Sequence, residues 1–224
     1  MITAIGPVRR ALAPTVAGRS ETCHVALTFD DGPDPASTPA FLDLLAVHDV
    51  RATFFVLGRL LSVNPDLASR IHGDGHELGV HGWDHMTPLV RSRRRMREEM
   101  RRTADLIELA SGAAPRWYRP PFGVMSRTAT LAAADVGLRP VLWTAWGRDW
   151  SSRATGPSVI NAVRRQPARG GTILLHDADT ASAPGSWRST LEALPELLAG
   201  WRSEDLTVGP LRGHGGLFSL WAGP

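Results

Sequence analysis

The chain has 224 residues, of which 43% are hydrophobic, and its formal net charge is +3. This length allows one large domain with a full core, and the composition is typical of a soluble globular protein. The nearly balanced charge argues against a nucleic-acid-binding function, which normally needs a concentrated basic patch. A single cysteine, Cys23, excludes an intramolecular disulfide and a cysteine-based metal cluster.

The beginning of the chain shows little periodic structure. We expect residues 1–21 to be an N-terminal arm and residues 22–224 to be one domain. Gly6, Pro7 and Pro14 interrupt the apolar positions of the arm, which makes it a poor match to a signal peptide. No stretch approaches the roughly 18 apolar residues of a membrane span. We therefore expect a cytoplasmic location by default, or a secreted or cell-wall location if the N-terminus is misassigned.

Apolar runs typical of buried strands alternate along the chain with segments typical of helices. The predicted strands cover residues 25–27, 52–57, 77–80, 140–144, 172–175 and 206–208. The predicted helices cover residues 39–48, 64–73, 91–110, 126–136, 157–166 and 187–198. Thr38 is the expected N-cap of the first helix, and Pro195 is expected to kink or end the last one.

The predicted helix 91–110 is amphipathic. Its buried stripe follows spacings of four and three residues: Met96, Met100, Thr103, Ile107 and Ala110. Its other faces are rich in arginine between residues 91 and 102. This basic surface either binds an anionic polymer or is a solvated face with local acid–base pairs, and the second interpretation is favoured.

Continuous apolar strands that alternate with helices imply a parallel sheet covered on both faces. The chain is shorter than the ~250 residues typical of an eight-stranded barrel. We therefore expect an α/β fold, a distorted and incomplete (β/α) barrel with about seven parallel strands. A doubly wound open sheet is the alternative, although no Gly-x-Gly-x-x-Gly follows any predicted strand. In either architecture, functional groups gather at the carboxyl ends of the strands.

Two adjacent carboxylates, Asp30 and Asp31, follow the first predicted strand. Gly32 and Pro33 come directly after them and force a turn. Carboxylates this close repel each other, so a positive group must lie beside them if both are ionised. Taken alone, the Asp-Asp-Gly sequence is more often a turn with solvated acids than a functional site.

His81 and His85 follow the third predicted strand with a spacing of four residues, which places both imidazoles on one side of a helical turn. Such a pair is more often a surface feature when it stands alone. Asp31 as a third ligand changes this balance, because two imidazoles and one carboxylate can hold a divalent metal and leave positions open for water and substrate. A metal of this kind generates a nucleophile near neutral pH.

These segments resemble the signature motifs of the polysaccharide deacetylases of carbohydrate esterase family 4. The motifs occur in the family's order as Thr28-Phe-Asp-Asp-Gly-Pro33, His81-Gly-Trp-Asp-His85, Arg119-Pro-Pro-Phe-Gly123, Asp149-Trp150 and Leu174-Leu-His176. The resemblance runs from about residue 25 to about residue 208. It implies that residues 22–224 are a single polysaccharide-deacetylase-like catalytic domain.

The resemblance implies a catalytic base and a metal site. Asp30 matches the family's base, and Arg119 matches the arginine that pairs with it and holds it ionised. Asp31, His81 and His85 match the ligands of one divalent metal ion. In the family this ion is usually zinc, and cobalt, nickel or manganese are the other candidates.

The resemblance also implies a general acid and a small acyl pocket. His176 matches the acid that protonates the leaving amine, and Asp149 matches the carboxylate that orients it and raises its pKa. The backbone N–H of Phe122 matches the donor to the oxyanion. Trp150 and Leu174 match the residues that line the pocket for the acetyl methyl group.

The sequence departs from the family's pattern at three positions. Gly82 replaces a common Ser or Thr, Phe122 replaces a common Tyr, and Trp146 stands where the fourth motif often opens with Asp. Tryptophans near the motifs either pack in the core or form surfaces on which sugars stack: Trp83, Trp117, Trp146 and Trp150.

The function that the resemblance implies is metal-dependent removal of an N-acetyl group from an amino-sugar substrate such as a chitooligosaccharide, peptidoglycan or a related glycan, with release of acetate. The expected partner is thus an N-acetylated glycan, with no nucleic acid and no membrane span. Two enzymatic alternatives are an O-acetyl xylan esterase and an amide hydrolase for a small N-acylated biosynthetic intermediate. The non-enzymatic alternative is an inactive carbohydrate-binding protein.

Overall fold

The computed structural model describes residues 16–215, so residues 1–15 of the predicted N-terminal arm lie outside the described part. The strands are β1 (His24–Asp30), β2 (Thr53–Val56), β3 (Glu77–Val80), β4 (Trp117–Tyr118), β5 (Arg139–Pro140), β6 (Ala145–Trp146), β7 (Thr172–His176) and β8 (Thr207–Gly209). The helices are α1 (Thr38–Val47), α2 (Gly58–Leu61), α3 (Pro65–Gly73), α4 (Arg93–Ser111), α5 (Arg127–Ala134), α6 (Gly156–Arg164) and α7 (Trp187–Ser203). Short 3₁₀ helices occur at Pro88–Val90, Pro121–Gly123 and Leu211–Gly213.

The strands form one parallel sheet in the order β5-β4-β3-β2-β1-β7-β6. β8 pairs with the first half of β1, along the edge that β2 uses further on: Ala26 pairs with Gly209, and Thr28 pairs with Thr53. No pairing joins β5 to β6 within residues 16–215, so the sheet curls without closing. The predicted incomplete α/β barrel is confirmed. Among these residues, none of the helices has the length and apolar composition that a membrane crossing requires.

The two faces of β1 serve different purposes. Phe29 packs on the helix side, with its ring 5.2 Å from that of Phe41 in α1 and 5.1 Å from that of Phe54 in β2. Thr28 and Asp30 point the other way, because successive strand residues face opposite sides of a sheet. This inner face therefore carries polar groups toward the barrel interior.

Helix α4 has the predicted amphipathic pattern. Its buried stripe consists of Met96, Met100, Thr103 and Ile107. The side chain of Ser92 accepts a hydrogen bond from the N–H of Arg95 and so caps the first turn. Several of the arginines form ion pairs: Arg91 with Asp84 and Glu99, Arg93 with Asp135, Arg94 with Glu98, and Arg95 with Glu99. The pairs of Arg94 and Arg95 are the local kind that the favoured interpretation expected.

The prediction of a single strand over residues 140–144 is wrong. The structure has two short strands there, β5 and β6, because the backbone between them has other partners. The N–H of Leu142 donates to the carbonyl of Val16 (2.7 Å), and its carbonyl accepts from the side chain of Arg119 (3.0 Å). A residue whose backbone is bonded in this way cannot extend the sheet ladder.

Two predicted helix signals also differ from the structure. Ser37, not Thr38, precedes α1 as its N-cap residue. The hydroxyl of Thr38 instead donates to Asp177 (2.5 Å) and accepts the N–H of Asp34 (2.9 Å). Pro195 lies inside the last helix, which continues to Ser203, so the expected boundary is wrong and the kink stays a prediction.

The amino ends of the strands form the base of the barrel, where both ends of the described chain are anchored. The hydroxyl of Ser20 donates to the carbonyl of Gly215 (2.9 Å), and the Nδ1 atoms of His24 and His214 lie 2.9 Å apart. Ala17 and Ser20 are buried, so this part of the predicted arm packs against the domain.

Glu77 organises the polar contacts at this base. Its carboxylate accepts hydrogen bonds from Oγ1 of Thr53 (2.8 Å), Nε1 of Trp117 (3.0 Å) and the N–H of Arg212 (3.0 Å). These donors belong to β2, β4 and the segment after β8. One buried carboxylate thus joins three parts of the chain that are distant in sequence.

We expect Glu77→Ala to destabilise the fold by about 3 kcal/mol, because it removes the acceptor of three hydrogen bonds that contribute ~1 kcal/mol each. Urea unfolding followed by circular dichroism measures this loss. Glu98→Ala removes an exposed glutamate from α4 and serves as the control, which should unfold at nearly the wild-type midpoint. Equal midpoints for the two variants would contradict the role of Glu77.

Candidate active site

The predicted site residues meet at the carboxyl ends of the strands. Asp30 ends β1 and pairs in register with His176, which ends β7. His81 follows β3, and Arg119 follows β4. These ends surround a cavity of about 300 Å³. It is lined by Asp30, Asp31, His81, His85, Phe122, Trp150, Leu174 and His176, all of which the sequence analysis identified.

Asp31, His81 and His85 form a compact cluster of donor atoms. Oδ1 of Asp31 lies 3.4 Å from Nε2 of His81 and 3.4 Å from Nε2 of His85. This oxygen is buried and has no hydrogen-bond partner among the described residues. A buried carboxylate oxygen that lacks a partner is unfavourable unless a cation lies beside it. One carboxylate and two imidazoles are a donor set that suits a divalent cation, so the residues fit the predicted metal site.

The two histidines are prepared to act as ligands. Nδ1 of His81 lies 2.8 Å from the carbonyl oxygen of Arg119. Because a carbonyl only accepts, Nδ1 carries the proton and Nε2 presents its lone pair to the cluster. Burial lowers the pKa of His85 to about 4, which keeps its imidazole neutral at pH 7. Neutral imidazole is the form that binds a metal.

Asp30 is held by a fully buried arginine. Nη1 of Arg119 donates to Oδ1 of Asp30 (2.7 Å) and to Oγ1 of Thr28 (2.8 Å). The guanidinium carbon lies 4.1 Å from the centroid of the Phe55 ring. The other carboxylate oxygen, Oδ2, lies 3.8 Å from Nε2 of His81 and therefore faces the donor cluster. The arginine thus supplies the positive group that the two adjacent carboxylates require.

On the neighbouring strand β7, His176 is held by the buried carboxylate of Asp149. Its Oδ1 lies 2.9 Å from Nδ1 of His176, and its Oδ2 accepts from the N–H of His176 (2.8 Å) and from the hydroxyl of Thr190 (2.6 Å). Burial alone lowers the pKa of His176, but the charge of Asp149 and its hydrogen bond raise the pKa to about 10. The imidazole is therefore protonated at neutral pH, and its Nδ1–H donates a hydrogen bond to Asp149.

The turn Pro121–Gly123 forms one rim of the cavity. Phe122 has a φ of 57° and is 63% exposed, with its ring edge-on to His85 at a centroid distance of 4.3 Å. Gly123 has a φ of 64°, and a Cβ there would lie 2.4 Å from the Trp143 ring. Both positions occupy the left-handed region, which a phenylalanine rarely adopts. Such local strain is frequent where a backbone group must point at a ligand.

The tryptophans near the motifs divide into two groups. Trp117 is buried in the barrel interior, and Trp83 lies under the guanidinium of Arg102, whose carbon is 3.6 Å from its ring centroid. Neither lines the cavity. Trp146 and Trp150 do line it.

Sequence reasoning missed several contributors to the site. Trp143 lines the cavity beside Trp146 and Trp150, and the close spacing of these three tryptophans in the sequence was a usable signal. The hydroxyl of Thr190 in α7 donates a hydrogen bond to Asp149, and no local sequence pattern predicts this contact. Asp177, by contrast, is one of the ionisable residues at the end of the predicted strand 172–175. Its carboxyl is buried below the turn, where burial raises its pKa to about 7 and a Cβ on Gly32 would collide with it at 2.5 Å.

Comparison with known proteins places these features in a family. The family model described as polysaccharide deacetylase matches residues 17–141. The peptidoglycan-N-acetylglucosamine deacetylase PgdA of Listeria monocytogenes is 34% identical over 170 residues, which are 76% of this chain and 36% of that protein. The chain therefore spans about a third of the length of this relative. A chitooligosaccharide deacetylase of Sinorhizobium fredii is 37% identical over 180 residues, covering 78% of this chain and 83% of the relative.

A solved structure supports the same placement. The Bc1960 peptidoglycan N-acetylglucosamine deacetylase, crystallised with 4-naphthalen-1-yl-N-oxidanyl-benzamide, superposes with a TM-score of 0.80 at 28% identity. The match covers 88% of this chain and 90% of that chain. The likeness therefore extends over nearly the whole of both molecules.

We expect His81→Ala to weaken divalent-metal binding by about 100-fold or more, because loss of a ligand costs at least as much as loss of one of its outer hydrogen-bond partners. Titration of the metal-free protein with Co²⁺, followed by visible absorption, measures the affinity. His72→Ala changes an exposed histidine outside the cluster and should bind Co²⁺ like the wild type. Unchanged affinity in His81→Ala would exclude the cluster as the metal site.

Proposed function

Because this chain belongs to the polysaccharide deacetylase family, we propose that it is a metal-dependent hydrolase that removes the N-acetyl group from amino-sugar units of a glycan and releases acetate. The observation that carries the proposal is the pair of proton-transfer groups that line one cavity from neighbouring strand ends, Asp30 held by Arg119 and His176 held by Asp149. The names of the relatives support an N-acetylated amino sugar as the substrate. We further propose that residues 22–224 are the catalytic domain.

Asp30 acts as the general base in this proposal. Since Arg119 occupies Oδ1, the free oxygen Oδ2 faces the donor cluster and accepts a proton from the attacking water. When bound by Asp31, His81 and His85, a divalent cation supplies Lewis acidity to this water and to the amide carbonyl, and we propose zinc as that cation.

The oxyanion is stabilised by the turn Pro121–Gly123. The N–H of Gly123 donates to Pro120 (3.0 Å), and the N–H of Val124 donates to Pro121 (3.2 Å), while a proline has no N–H. This leaves the N–H of Phe122 as the remaining donor of the turn. A backbone donor fixed by its own turn needs no reorganisation as negative charge develops on the substrate oxygen.

His176 acts as the general acid. Its Nδ1–H is bound to Asp149, so the proton on Nε2 is the one available to the leaving amine nitrogen. The proton transfers when the C–N bond breaks, which releases a free amine. An inactive binding protein would have no use for a base and an acid in this arrangement, and this disfavours the non-enzymatic alternative.

A substrate panel tests the proposal. The zinc-loaded full chain is incubated with N-acetylglucosamine oligomers, acetylxylan and small N-acetyl sugars, and the products are identified by mass spectrometry. We expect loss of acetyl groups from the N-acetylglucosamine oligomers, and a fall of at least about 100-fold in this activity for Asp30→Asn at full metal content. Acetyl loss from xylan alone would overturn the amide assignment, and full activity in Asp30→Asn would overturn the mechanism.

The pH dependence of the reaction reports on the His176–Asp149 pair. Asp149 raises the pKa of His176, so the protonated acid persists well above neutral pH and activity falls only as pH rises through that pKa. Asp149→Asn removes the negative charge and lowers the pKa. We therefore expect the alkaline limb of kcat/KM to move to lower pH by at least about one unit. The exposed-site control Asp66→Asn should keep the wild-type profile, and an unmoved limb in Asp149→Asn would contradict the pairing.

A further inference from the structure

Three tryptophans form a continuous aromatic row along one wall of the cavity. The ring centroids of Trp143 and Trp146 are 6.0 Å apart, and those of Trp146 and Trp150 are 4.8 Å apart, with interplanar angles of 29° and 36°. We call this the tryptophan row. Its rings are roughly parallel to their neighbours, so they present one connected apolar surface to the cavity.

The row connects the two ends of the proposed reaction centre. At one end, the Trp150 ring lies 6.2 Å from the ring of the general acid His176. At the other end, the Trp143 ring packs so closely on Gly123 that a Cβ there would collide with it. The row therefore runs along the cavity wall from the general acid to the turn that carries the oxyanion donor.

This placement identifies which part of the substrate meets the row, and the inference rests on the proposed function. The carbonyl carbon of an amide carries an oxygen, a nitrogen and the first carbon of its acyl group. The oxygen points to the turn Pro121–Gly123, and the nitrogen points to His176. The three substituents of this planar carbon point in separate directions, so the acyl group points away from both the turn and His176, toward the remaining cavity wall that the tryptophan row lines.

The sheet places Trp146 at the centre of this wall. Trp146 in β6 pairs in register with Leu174 in β7. Leu174 lies two residues before His176, so both of their side chains face the cavity from the same side of β7. Trp146 and Leu174 are therefore neighbours on the cavity wall that faces the acyl group. The guanidinium carbon of Arg148 lies 5.4 Å from the centroid of the Trp146 ring.

The row is longer than an acetyl group requires. A methyl group contacts a single ring, whereas the row extends over successive centroid spacings of 4.8 and 6.0 Å from Trp150. We propose that the tryptophan row binds acyl chains longer than acetyl, that Trp146 determines this specificity, and that the substrate class includes N-propionyl and N-butyryl amino sugars. Each additional methylene buried against the row favours the transition state about fourfold.

A graded series of substrates tests this inference. N-acetyl, N-propionyl and N-butyryl glucosamine oligomers of one length are incubated with the zinc-loaded full chain, and the released amines are quantified by mass spectrometry. We expect the wild type to hydrolyse the N-butyryl oligomer with a kcat/KM at least equal to that for the N-acetyl oligomer. The measured quantity is the ratio of these two kcat/KM values.

Variants of Trp146 separate specificity from general loss of activity. Trp146→Asp places a charge beside the acyl chain and should lower the butyryl-to-acetyl ratio at least tenfold, and Trp146→Ser, without a charge, should also lower it. Trp146→Phe keeps an aromatic surface and should stay within about threefold of the wild-type ratio. Trp187→Phe makes the same change beside Phe41, outside the cavity, and serves as the matched control. Melting temperatures identify variants that are misfolded, and the ratio is read from those that fold.

The outcomes distinguish the inference from the function on which it rests. Hydrolysis of the N-acetyl oligomer with a lower kcat/KM for the N-butyryl oligomer, or with no hydrolysis of it, overturns the inference alone. A ratio that is unchanged in Trp146→Asp and Trp146→Ser also overturns the role of Trp146. If no oligomer of the series is hydrolysed, the proposed function fails, and the inference fails with it.

Discussion

The buried ion pair between Arg119 and Asp30 is the contact on which the site depends. A guanidinium removed from water is costly unless charge and hydrogen bonds compensate it. Here the compensation comes from Asp30 and Thr28 in β1, from the carbonyl of Leu142, and from the Phe55 ring in β2. Three segments besides that of Arg119 itself must take their correct positions before these contacts form. The fold thus fixes the orientation of Asp30 before any substrate arrives.

The pair also explains how two adjacent carboxylates share one turn. Asp30 still belongs to β1 and points to the arginine, whereas Asp31 has a φ of 82° and points to the two histidines. The turn below them is close-packed, since Gly32 lies directly over the carboxyl of Asp177 and has no room for a side chain. Asp30 is thus paired with an arginine, whereas Asp31 lies beside two histidines. These different surroundings allow two neighbouring carboxylates to take different roles.

The sequence was most informative where apolar residues form a buried strand and polar residues directly follow it. Apolar runs predicted β1, β2, β3 and β7, and the polar residues at the carboxyl ends of β1, β3 and β7 predicted the ionisable part of the cavity lining. Strands of two residues, such as β4 and β5, show no periodicity and escape such reasoning. The predicted strand over residues 140–144 was wrong because a tertiary contact, from Arg119 to Leu142, decided the backbone path. Thr190 contributes to the site only because α7 packs beside β7.

The base of the barrel has a practical consequence for handling the molecule. Ser20 and Gly215 are hydrogen-bonded to each other among the amino ends of the strands, and the cavity opens at the carboxyl ends. Because these two positions are adjacent, a short linker can join them. A circularly permuted chain with new termini at another position is therefore feasible. A surface tether attached here would leave the cavity facing the solution, so immobilisation at this end keeps the cavity accessible.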